Sequence, residues 1–149
     1  MADHIRKQVR DAVVSDVTDL PLTGTSVFKG RTRSREETAL PFLLVHAGDE
    51  ESEQASMGDA PRTLVREFSV HVKAVAQSTD EGIDDALDAI GVQVEGALGG
   101  NNLGGIVKRL VLMRSTRDMS GDGSKVTAVL EMEWLVRVAT PENDATVTR

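Results

Sequence analysis

An α+β fold, with a mostly antiparallel sheet of about five strands and two helices packed on one face, follows from three observations. Two segments repeat apolar residues every three to four positions, two others alternate apolar and polar residues over about a dozen positions, and most connections are hairpin-compatible. With the order helix, three strands, helix, two strands, the economical packing sets both helices against the same side of the sheet.

Ile5, Val9, Ala12, Val13 and Val17 fall on one side of a helix of about residues 3–17. Thr18 to Thr25, with Pro21 and Gly24, ends it. Ser26 to Arg33 reads as a strand, and Leu40 to Ala47 as a second, more apolar one, with Pro41 suited to its first residue or an edge. Gly48 to Pro61 holds five acidic residues, no basic one and no large apolar residue except Met57. That composition predicts a mobile, solvated loop.

Leu64 to Val75 alternates, with Leu64, Phe68, Val70, Val72 and Ala74 on one parity and Glu67, Ser69, His71 and Lys73 on the other. It is a strand with one wet face. Ser78 and Glu81 form a capping-box pattern ahead of the helical stripe Ile83, Ala86, Leu87, Ile90, Val94, Ala97 and Leu98, which Gly99 and Gly100 close. Two further strands, about Ile106 to Arg117 and Val126 to Ala139, flank the Gly-rich segment DMSGDGSK, a hairpin signal. Val126, Ala128, Leu130, Met132, Trp134, Val136 and Val138 share one parity of the last strand. Residues 1–140 therefore read as one domain, and the aperiodic PENDATVTR of 141–149 as a flexible tail able to order against a partner.

The 149 residues suffice for one real core, since a monomer of this mass buries roughly two thirds of its unfolded surface. Seventeen Lys and Arg against 24 Asp and Glu give a net charge of -7, the wrong sign for a domain devoted to gripping phosphates. The absence of cysteine excludes disulfides, thiolate metal sites and a cysteine nucleophile, and fits a reducing compartment. Charges interrupt the first residues, MADHIRKQVRDAVV, and the uncharged runs are too short for a membrane span. The expectation is synthesis in the cytosol, with no membrane contact.

No catalytic, cofactor or metal constellation emerges from the linear pattern, so no enzyme activity is expected. His4, His46 and His71 follow no metal-ligand spacing, and Asp80, Glu81, Asp84, Asp85 and Asp88 read as the solvated, dipole-favourable start of a helix. Asp118, Ser120, Asp122 and Gly123 match the first half of a calcium loop, but its twelfth position is Val129 and its flanks read as strands. The glycines at 99, 100, 104 and 105 follow a helix end, whereas a phosphate cradle opens a helix. Basic residues do cluster, as Lys29, Arg31, Arg33 and Arg35, and as Lys108, Arg109, Arg114 and Arg117. With no Tyr, one Trp and three Phe, nucleic-acid bases would find almost no stacking platform.

The string of elements resembles the tail terminator family of long-tailed bacteriophages and related particles, also called minor tail protein U or tail completion protein. The likeness runs from about Ile5 to Pro141. It rests on LPFLLVHAGDEES, REFSVHVKAVA, DDALDAIGVQVEGAL, LGGIVKRLVL, the Asp122-Gly123 turn and LEMEWLVRVATP. The resemblance implies a structural virion protein, built in the host cytoplasm and resident in the virion tail. It implies a ring, usually hexameric, at the head-proximal end of the tail tube, which stops tube growth and offers a surface to the head–tail connector. DNA would pass through the lumen without specific binding. The partners are then other copies of the chain, the tail tube protein and the connector, and no cofactor is implied. Candidate subunit or tube contacts are the acidic Asp49, Glu50, Glu51 and Glu53 and the basic Arg31, Arg33 and Arg35. A neck or head–tail joining ring is the nearest alternative, and a small ligand-binding or hydrolytic enzyme would need a pocket of converging polar groups.

Overall fold

The computed structural model describes residues 2–32, 40–55 and 57–149. Its elements are α1 (Ile5–Val17), β1 (Val27–Lys29), β2 (Phe42–Gln54), β3 (Thr63–Ser78), α2 (Ile83–Leu98), β4 (Arg109–Asp122) and β5 (Lys125–Pro141), with a 3-10 turn at Leu103–Gly105 before β4. The five strands form one sheet in the order β1-β2-β3-β5-β4. All neighbours are antiparallel except β1 and β2, which run parallel. The α+β class and the shared helix face are as the periodicities predict.

Residue alternation decides which side of the sheet is dry. Ile5, Val9, Val13 and Val17 of α1 and Ile83, Leu87, Ile90, Val94 and Leu98 of α2 share one core with Leu43 and Val45 of β2 and the even-numbered apolar residues of β3 and β5. Trp134, 2% exposed, is the largest side chain in it. Burial of each such Val, Leu or Ile contributes roughly 1.5–3 kcal/mol. Among the described residues, the opposite side carries a small apolar cluster around Phe42, Leu44 and Val75. No helix among the described residues is long and apolar enough to cross a membrane.

Several boundaries differ from the sequence expectation. The acidic stretch after Gly48 does not begin a loop: β2 continues to Gln54 and pairs with β3 as far as Gln54↔Leu64, after a bulge between Ala47 and Glu50. An unpartnered carboxylate disfavours a strand, but Glu50 turns to the helix side, where it meets Arg6 and Arg66. Within the expected strand Ser26 to Arg33, only Val27–Lys29 is paired among the described residues. The capping box is also absent. Ser78 remains in β3 opposite Val126, and α2 starts after Gly82, whose N–H donates to the Thr79 hydroxyl at 3.1 Å. Asp84 and Asp85 supply the favourable charge in the first turn.

The β4–β5 hairpin is tighter than expected, since pairing reaches Asp122↔Lys125 and leaves Gly123 and Ser124 as the connection. Gly123 takes φ 57° there, a conformation that glycine reaches without strain. At the chain end, the Ile5 N–H donates to the Ala145 carbonyl at 2.7 Å, and the Gln8 amide donates to the Thr146 carbonyl at 2.7 Å. The Arg149 N–H donates to the Ala139 carbonyl at 2.8 Å. Residues 141–149 thus contact the start of α1 and the end of β5.

Candidate functional site

The sheet has two edges of opposite charge. On one side, β1 covers only Leu43 to Val45 of β2, so among the described residues the rest of β2 forms an edge carrying Asp49, Glu50, Glu51 and Glu53. Asp49, Glu51 and Glu53 are exposed. On the other side, the outer strand β4 and the residue before it hold Lys108, Arg109, Arg114 and Arg117, with no acidic residue between 108 and 117. All four are exposed, and Arg117 reaches Asp84 at 3.2 Å.

The register levels these edges with each other. Glu51 stands opposite Glu67, Glu67 opposite Arg137, and Arg137 opposite Arg109, so one row crosses four strands from acid to base. Glu67 and Arg137 lie 3.7 Å apart within that row. Long edge strands are templates for pairing with another chain, and charges on them select which chain is admitted.

The sequence-predicted contact residues divide into four groups. Glu50 is engaged inside the chain: it accepts from Arg6 Nη1 and Arg66 Nη1, both at 3.0 Å, and from the Ser52 hydroxyl at 2.9 Å, while Arg66 Nε donates to the Thr140 hydroxyl. Burial alone would raise this carboxyl, but Ser52 and the two guanidinium groups outweigh it and hold Glu50 below the ordinary glutamate range. Arg31 sits beside the acidic edge, its Nη2 donating to the Ala47 carbonyl at 3.3 Å. Arg33 and Arg35 lie outside the described residues. Asp49, Glu51 and Glu53 remain at the surface.

Between the two edges, the side of the sheet away from the helices holds a polar cluster that the linear pattern does not reveal. His46 of β2 is directly opposite His71 of β3, and their rings stack with centroids 4.7 Å apart and planes within 1°. His71 Nδ1 is 2.9 Å from Glu131 Oε1 of β5, and its Nε2 is 3.0 Å from the Ser69 hydroxyl. A carboxylate only accepts, so Nδ1 carries the proton in this bond. His46 Nδ1 is closed off from water and has no partner among the described residues. Burial first, then the neighbouring His71, Arg31 and Lys73, lower the His46 pKa to about 4, so the ring is neutral at neutral pH. A depression of about 290 Å³ beside the cluster is lined by His71, Arg114, Thr116, Glu131 and Glu133. Strand parity puts His71 on the wet face, but only the register brings His46 and Glu131 to it.

The search of family models finds no match, and the search of curated proteins finds none. Among solved structures, the chain is similar to one from the "Virion of native gene transfer agent (GTA) particle". The TM-score is 0.46, with 19% identity and coverage of 92% of each chain.

Proposed function

We propose that this chain is a structural virion protein that assembles as a ring at the head-proximal end of a phage tail tube, six-membered as the sequence resemblance implies. The ring stops tube polymerisation and presents a surface to the head connector, while DNA passes through its lumen without specific binding. The observation that carries the reading is the pair of oppositely charged edges on one sheet. Such a subunit favours heterologous contacts, acidic edge to basic edge, and these close into a ring when the rotation per subunit divides the circle. The residues assigned to the contacts are Asp49, Glu51 and Glu53 on one side and Arg109 and Arg114 on the other. Glu50 braces the acidic strand from within, Arg31 sits beside that strand, and the run Arg31, Arg33 and Arg35 is assigned to contacts with the tube or the next subunit.

Electron microscopy of particles with this gene disrupted tests the reading. Tails of uncontrolled length without heads are the expected result. Tails of normal length that fail to join heads would move the chain to a neck role, and normal infectious particles would overturn the assignment. The smaller claim about the flanking run is tested by Arg31→Glu, Arg33→Glu and Arg35→Glu together, which should impair assembly; full assembly would remove these residues from the interface.

A further inference from the structure

We propose that His46, His71 and Glu131 form a binding site for a divalent transition-metal ion of the zinc type, which clips β2, β3 and β5 together on the open side of the sheet. The three side chains come from three adjacent strands, and their donor atoms all lie within 4.8 Å of one another. The ladder fixes their Cα positions, with His46 facing His71 and Glu131 one diagonal step away on β5. No local sequence motif is needed, because the sheet itself supplies the spacing.

The donor set selects the ion. Two imidazoles and one carboxylate suit zinc or cobalt, whereas calcium and magnesium take oxygen ligands. Around a tetrahedral zinc with bonds of about 2.0–2.1 Å, ligand atoms stand about 3.4 Å apart, so donors within 4.8 Å of one another need close in by at most about 1.4 Å. The stacked rings direct their nitrogen lone pairs along parallel planes, and one ring must turn to share an ion. That ring is His46. Among the described residues its Nδ1 has no partner to lose, whereas His71 stays in place and shifts its proton from Nδ1 to Nε2, where the Ser69 hydroxyl accepts it, so that the ion takes the place of the proton between Nδ1 and Glu131.

Two further features make room for the ion. A Cβ at position 48 would run into the Ser69 hydroxyl and lie 3.3 Å from His71 Nε2, so glycine at the bulge keeps that side of the ring clear. The depression bordered by Glu131 and Glu133 opens beside the cluster, giving an entry path and space for water as a fourth ligand. Arg31 and Lys73 act on His46 from nearby and oppose an incoming cation. Glu131 and Glu133 oppose them in turn, and removal of the Lys73 charge should tighten binding.

The test is titration calorimetry of the full, untagged chain, freed of metal with a chelator, using zinc chloride alone. One zinc per chain is expected, together with a higher thermal midpoint in zinc and a tetrahedral visible spectrum when cobalt replaces it. His46→Ala, His71→Ala and Glu131→Gln should each weaken binding at least about tenfold, while His4→Ala leaves it unchanged and Lys73→Ala strengthens it. Circular dichroism in the absence of metal checks that each variant is folded, and His46→Gln replaces His46→Ala if the latter is not. Absence of saturable binding, or binding that survives His46→Ala or His46→Gln in a folded chain, would overturn the proposal. The outcome is independent of tail assembly.

Discussion

The two sides of this sheet solve opposite problems with the same strands. The side under α1 and α2 is mostly apolar and closely packed, with the Glu50–Arg66 ion pair at its margin. The other side and the two flanking edges carry His46, His71, Lys73, Glu67, Glu131, Glu133, Arg137 and the charged rows described above. Stability resides on the first side, and recognition is expected on the second, because polar groups at a surface contribute little to folding but much to the choice of partner.

Substitutions that respect this division should rank by side. Trp134→Ala removes the largest fully buried side chain and should cost about 3–5 kcal/mol, read as a lower midpoint in urea unfolding. A loss below 1 kcal/mol would show that the covered side is not the stabilising one.

The Glu50–Arg66 pair comes next, as a nearly buried ion pair at the margin of the core. The side chains of Arg66 and Glu50 are 10% and 13% exposed, so Arg66→Ala leaves a carboxylate partly uncompensated and should cost about 3 kcal/mol. The same pair carries a pH signature. Glu50 titrates lower in the folded chain than in the unfolded one, so its contribution is full above the unfolded glutamate pKa and is lost as pH falls through the lower folded value. Unfolding midpoints measured across the acid range should show Glu50→Gln with a flatter loss than the natural chain. Equal slopes would place the acid sensitivity elsewhere.

On the open side, Glu67→Ala and Arg137→Ala remove a half-exposed ion pair at 3.7 Å and should each change stability by less than about 1 kcal/mol. A double-mutant cycle with a larger coupling would blur the contrast between the sides.

The covered side is also the side that a linear reading recovers. Apolar residues at Leu64, Phe68, Val70, Val72 and Ala74 repeat with the period of the strand, and those of α2 repeat with the period of the helix, because burial acts on every second or every third to fourth residue. The paired half of β2 beyond Ala47 was hidden, since its residues there are acidic and the arginine that neutralises Glu50 from the next strand, Arg66, lies 16 positions away. Of the candidate contact residues, Asp49, Glu51 and Glu53 could be picked out by charge alone. The partner edge at Lys108, Arg109, Arg114 and Arg117 was visible as a basic cluster, but its position across the sheet from the acids depends on strand order. His46, His71 and Glu131 are brought together by register, with His71 and Glu131 separated by 60 positions, which no local pattern encodes.

The central claim is that opposite edges of neighbouring copies meet, and reversal of each edge tests it directly. Sedimentation velocity in the presence of tail tubes would follow ring formation by the natural chain, by Glu51→Arg with Glu53→Arg, by Arg109→Glu with Arg114→Glu, and by the chain carrying all four changes. The account predicts that either single-edge reversal abolishes the ring and that the fourfold variant, whose edges are again complementary, recovers it. Rings that form unchanged with one edge reversed would contradict it.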